Sequence, residues 1–258
     1  METAVPLPAE LLELLKQSLP CLRPPQRTRH AVDLFGLWSG LRTAVLLDSL
    51  ILSEEEAERL GRGLSASSLP LFVIHEPATG QTLAVNSRLA RQMKKEEAGC
   101  VEVGGEKPVL LDRLPPSSQA IFALIASHDP SSSPFLFLPR VERPYDLVGA
   151  VGRLLDYPIP YCFAQSEDGK NCLGGVELLV MEAFLVGSGG RQRIMSFSYP
   201  ALLDDQLSNN PSQPGTVSSR LQYCLSRRLD QAMEAVPVLR KCKIEVEQHL
   251  AVLDQVAL

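Results

Sequence analysis

The chain lacks most of the features by which enzymes and targeted proteins are recognised. Its six cysteines include no C-x-x-C pair, and no histidine stands at ligand spacing from two of them, which removes the compact zinc and dithiol motifs. No apolar run approaches the roughly 18 residues that a membrane helix needs; the longest, Val176 to Val186, is interrupted by Glu177 and Glu182. The first residues have no basic region ahead of an apolar one and carry Glu10 and Glu13, so neither a secretory signal nor a transit peptide is read there. Neither sign of charge dominates: 25 basic residues stand against 30 acidic ones. Basic groups such as Lys94-Lys95 and Arg227-Arg228 are short, which argues against the clustered basic face of a nucleic-acid binder. GSGG at Gly187–Gly190 lacks the G-x-x-x-x-G-K spacing of a phosphate cradle. The expected setting is cytoplasmic, with the nucleus open, and the cysteines are expected as free thiols.

What is present is an ordinary folding composition, 45% hydrophobic and 21% charged, at a length near the upper limit for one core. Leu11, Leu12, Leu14 and Leu15 mark a helix over residues 9–18, inside an N-terminal segment (1–26) expected to be peripheral. Ala31, Leu34, Phe35, Trp38 and Leu41 repeat at helical steps from Thr28. The continuous apolar run Thr43–Asp48 predicts a strand covered on both faces, Leu71–Glu76 a second strand and Phe135–Leu138 another buried strand. Ser53 and Glu56 form a capping box for a helix that Gly61 and Gly63 can end. TLAVN, ending at Asn86, predicts a hairpin with the strand before it, Val109–Asp112 repeats the pattern of an apolar run ending in Asp, and Ile121, Leu124 and Ile125 mark another helix face. Leu147, Val148, Val151, Leu154 and Leu155 form a helical stripe before a Tyr-Pro-Ile-Pro turn that forbids further helix. GSGG joins two long strands, residues 206–215 read as an exposed loop, and Thr216 caps a helix with the face Val217, Leu221, Cys224, Leu225, Leu229 and Met233. The expectation is a single α/β domain: a mixed sheet with helices packed on it and an antiparallel hairpin in the C-terminal third.

The sharpest chemical candidates are Asp48 and Asp112, each following an apolar run that reads as an inner strand. At the carboxyl edge of an open sheet, two such carboxylates could hold Mg²⁺ or divide acid and base roles. The plainer reading is that each bonds turn amides. Cys162 and Cys172 flank Ser166–Asn171 and could meet across a hairpin, although Cys162 reads as a core thiol. Glu167, Asp168 and Asn171 could offer oxygens to Ca²⁺, but the loop is too short for a twelve-residue EF-hand pattern. Ser127, His128 and Asp129 are sequence neighbours, which do not converge as a triad must; a turn before Pro130 is expected.

The blocks GRLLDYPIPYCF (Gly152–Phe163), NCLGGVELLV (Asn171–Val180) and SFSYP (Ser196–Pro200) resemble the uncharacterised vertebrate family named for "chromosome 1 open reading frame 74", a domain of unknown function. The resemblance extends over most of the chain. It implies no activity, cofactor or catalytic residue. It implies an aspartate at Asp48 and at Asp112 and a cysteine at Cys172, while Cys162 departs from the pattern. Two functional readings follow. The first is a non-catalytic domain that binds an unidentified protein partner, because no acid, base and nucleophile converge. The second is a small-molecule or Mg²⁺-binding enzyme using Asp48 and Asp112.

Overall fold

A computed structural model describes residues 6–47, 50–66, 70–77, 79–93, 99–138, 143, 145–163, 170–209 and 215–254. The architecture is mixed α/β, as the sequence predicts, but the strands form three small sheets rather than one. The first sheet has the order β1-β3-β2-β6, from β1 (Ala44–Leu46), β2 (Leu71–Glu76), β3 (Gln81–Asn86) and β6 (Phe135–Phe137). The second, β5-β4-β7, joins β4 (Cys100–Glu102), β5 (Val109–Leu111) and β7 (Tyr161–Cys162). The third, β10-β8-β9, is antiparallel throughout, with β8 (Glu177–Gly187), β9 (Gly190–Pro200) and β10 (Lys243–Val252). The two parallel pairs are β2 with β6 and β4 with β7.

The continuous apolar run of β2 has a simple cause. Leu71 and Val73 point into the main core, whereas Phe72 and Ile74 point into a second one, so both faces are dry. The helix α3 (Glu54–Ser65) covers one face. Ala90 of α4 (Ser87–Met93), Phe122, Ile125 and Ala126 of α5 (Pro116–Ser127), and Leu147, Ala150 and Leu154 of α6 (Asp146–Leu154) fill the other. Each such side chain contributes about 1.5–3 kcal/mol of burial when large and apolar.

Several local expectations shift. The helix α2 (Pro24–Trp38) begins four residues before Thr28, with proline in its first turn, where the missing N–H costs nothing. In α3 the Ser53 Oγ accepts from Glu56 N at 3.2 Å and Glu56 accepts from Ser53 N at 2.9 Å. The helix does not end at Gly61 or Gly63 but runs to Ser65. Gly61 is instead a close-approach site: a Cβ there would stand 2.6 Å from the Pro134 carbonyl oxygen. On α5, Leu124 is exposed and Phe122 takes its expected place inside. The N-terminal segment is not peripheral throughout, since α1 (Ala9–Ser18) buries Leu11 and Leu15. Residues 206–215 are not all exposed loop either: Leu207, in α7 (Asp204–Ser208), is buried, and residues 210–214 lie outside the described residues. In α8 (Val217–Ala235), Thr216 caps Ser219 N as expected, but Cys224 is exposed and Ala232 completes the buried face. Among the described residues, no helix is long and apolar enough to cross a membrane.

Candidate functional site

Of the first candidate pair, the structure places Asp112 alone. Asp48 lies outside the described residues. The strand before it, β1, is a three-residue edge strand of the first sheet, and β5, before Asp112, is an edge strand of the second. Neither is an inner strand, and they do not share a sheet. Asp112 itself is exposed. Glu167 and Asp168 also lie outside the described residues. His128 and Asp129 form the expected turn: Asp129 accepts from Ser131 N at 3.1 Å and from its hydroxyl at 2.8 Å, while the His128 ring packs on Phe72. Cys162 meets a different partner from Cys172, namely Cys100, at 3.0 Å between sulfurs.

The structure builds its most elaborate local geometry where α6 ends. Asp156 N–H donates to the Arg153 carbonyl at 3.0 Å and Tyr157 N–H to the Gly152 carbonyl at 3.1 Å, the paired bonds of a Schellman termination. Its left-handed position, which usually falls to glycine, is held by Asp156 with φ 63°. Aspartate is one of the few other residues that tolerates this region. The side chain explains the choice. Asp156 Oδ2 accepts from Thr43 N at 2.7 Å, and Oδ1 accepts from Thr43 Oγ1 at 2.6 Å and pairs with Arg228 Nη1 at 2.9 Å. Arg42 Nε stands 3.5 Å from Oδ2. Arg42 also donates to the carbonyls of Leu155, at 2.8 Å, and of Ile194. Burial pulls the Arg42 guanidinium down from its ordinary value while Asp156 pushes it back up, and an arginine so placed stays charged. One carboxylate thus ties the start of β1, the end of α6, β9 through Arg42, and α8 through Arg228.

Leu155 and Tyr157, the neighbours of this anchor, form part of the wall of a cavity of about 520 Å³. Behind them Gly152 approaches Pro160 so closely that a Cβ would come within 2.8 Å of its ring. The two prolines keep the chain extended, so Tyr161 reaches the cavity from β7. Val148 and Val151 of α6 supply an aliphatic side, and five rings (Tyr145, Tyr157, Tyr161, Phe163 and Phe197) enclose the rest. Tyr157 stacks on Phe197 with centroids 5.4 Å apart, and Tyr145 packs against Phe163 at 5.7 Å. Polar atoms are few: Tyr161 OH and Ser198 Oγ lie 3.3 Å apart, with Asn171, Gln81 and Thr79 also at the lining. Among the described residues that line it, none is charged. Burial raises the Tyr161 phenol to about 12, which makes it a standing hydrogen-bond partner rather than a base.

Gly152, Tyr157, Ile159, Tyr161 and Phe163, then Asn171, then Phe197 and Ser198 all line this one cavity. They come from the three sequence blocks that carry the resemblance noted above. A comparison with protein families matches residues 13–247 to a domain of unknown function, DUF4504. The chain belongs to that family. No curated protein matches it, and no solved structure does. Sequence reasoning passed over Arg42, Asp156 and Arg228, whose only local signal was an aspartate placed just before Tyr-Pro-Ile-Pro.

Proposed function

We propose that the protein binds a small, uncharged, ring-bearing molecule in the cavity beneath α6 and performs no bond chemistry on it. The observation that carries this reading is the lining: five aromatic rings and a few neutral polar groups around about 520 Å³, with no charged side chain among the described residues. Ligand sites of small molecules have this size and this character. A charged ligand would lose its hydration there without a countercharge, at a cost of several kcal/mol. The reading keeps the non-catalytic role expected from the sequence and exchanges the protein partner for a small molecule. Family placement at the finer level, with the vertebrate group named for chromosome 1 open reading frame 74, belongs to the same proposal and is supported by the Tyr157–Tyr161 block. So does a cytoplasmic setting, supported by free thiols at all six cysteines.

Calorimetric titration with 2-naphthol, against 2-naphthoate of the same shape and negative charge, tests it. At about 0.5 kcal/mol for each of about eleven heavy atoms, naphthol binds with a Kd on the order of 0.1 mM. Naphthoate binds at least about tenfold more weakly, and Val151→Trp, which fills the cavity from α6, removes naphthol binding in a chain that circular dichroism shows still folded, at a cost of about 1–3 kcal/mol for the added bulk. Equal binding of the two probes, or naphthol binding unchanged in Val151→Trp, would sink the reading.

A further inference from the structure

Cys100 and Cys162 lie on the adjacent parallel strands β4 and β7, both fully buried, with their sulfurs 3.0 Å apart. They form a satellite cluster with Leu114 and the half-buried Leu111, separate from both main cores. Glu102, the register partner of Cys162 on β4 and itself buried, accepts from the Cys162 thiol at 3.8 Å, and its other oxygen accepts from Gly104 N at 2.8 Å. The Cys100 thiol donates to the Arg113 carbonyl at 3.4 Å. We propose that Cys100 and Cys162 are an oxidisable dithiol that takes a peroxide as co-substrate and closes to a disulfide joining β4 to β7. This inference is independent of the cavity reading.

Three features favour it. The sulfurs must approach by only about 1 Å to reach the bond length of about 2.05 Å. The sheet that holds them consists of strands of three, three and two residues, so few ladder hydrogen bonds resist a small shift of β7 against β4. A cleft of about 610 Å³, whose lining includes Arg113 and Arg143 besides Leu111, Leu114 and Phe163, borders the cluster through its two leucines and has room for a molecule the size of hydrogen peroxide, with the sulfurs buried behind it. Cys162 is held as the thiol, first by its contact with Cys100 and then by burial and the Glu102 charge, so Cys100 is assigned as the attacking sulfur. Its sulfur forms an S–O bond as the peroxide O–O bond breaks, and the Cys100 proton passes to the hydroxide released, giving water. The Cys162 sulfur then attacks the Cys100 sulfur. The S–S bond forms, the S–O bond breaks, and the Cys162 proton passes through Glu102 to the departing hydroxyl, giving a second water. Two thiols are oxidised and one peroxide is reduced.

The test treats the full chain with hydrogen peroxide, unfolds it, alkylates it with iodoacetamide and maps its peptides by mass. The expected result is that two of the six cysteines escape alkylation, with a loss of two hydrogens, about 2 Da. A linked peptide pair carries Cys100 and Cys162, dithiothreitol reverses the change, and Cys172→Ser leaves it intact. Alkylation of all six thiols, a linked pair containing any other cysteine, or Cys100 recovered only as its sulfinic acid overturns the inference.

Discussion

Replacing Asp156 by asparagine removes one negative charge and one of the two acceptor oxygens that meet Thr43. Asparagine tolerates the left-handed backbone as aspartate does, so φ 63° at this position is not put at risk, and one acceptor oxygen remains. What is lost is the countercharge of two guanidinium groups. The side chains of Asp156, Arg42 and Arg228 are 6%, 9% and 13% exposed, so solvent screening offsets little of the effect. Breaking a buried pair from one side costs about 3–5 kcal/mol, because the remaining charge stays buried. At about 2.1 cal/mol/K per residue, a chain of 258 residues has an unfolding entropy near 0.5 kcal/mol/K, so a loss of about 4 kcal/mol lowers Tm by about 7 °C. Urea unfolding followed by circular dichroism, with a parallel thermal melt, measures both. Asp156→Gly is the informative companion. Helix-end geometry alone assigns it a gain of about 1 kcal/mol from relief of the left-handed backbone, whereas the ionic anchor assigns it a loss at least as large as that of asparagine. An asparagine variant within about 1 kcal/mol of the parent, or a stabilised glycine variant, would refute the account of Asp156 as the anchor.

Gly61→Ala tests the packing of α3 on the first sheet: helix propensity alone gives a gain of about 1 kcal/mol, but the 2.6 Å approach to the Pro134 oxygen turns it into a net loss of about 1–3 kcal/mol, read as a lower urea midpoint. Tyr161, whose phenol is raised by burial to about 12, ionises in the unfolded chain before it does in the folded one, so its contribution is intact below about pH 10 and is lost as pH rises toward 12. That difference is worth at most about 3 kcal/mol, and thermal melts across this range should show a shallower decline for Tyr161→Phe than for the parent; equal slopes would contradict the assignment.

The sequence by itself determined the local elements and the features that start, stop and orient them. The box of Ser53 and Glu56, the Thr216 cap, the turn between Gly187 and Gly190 and the stripe of α6 are all set by residues within a few positions of one another, where backbone hydrogen bonding and side-chain period act directly. The strand β2 was legible for the same reason, as a short apolar run, although its burial on both faces emerged only from the packing. The sequence could also gather the residues of the cavity as blocks, although not as walls of one space. Only the tertiary structure decided which strands share a sheet, and so set β1 and β5, the runs that precede Asp48 and Asp112, in different sheets. Only it paired Cys162 with Cys100, 62 residues away, and set Asp156 against Thr43, 113 residues away. Such pairings leave no periodic trace, because strand neighbours are chosen by the summed burial of whole faces rather than by any residue's own preference. The charge of Asp156 has meaning only once that choice has enclosed Arg42 and Arg228 beside it.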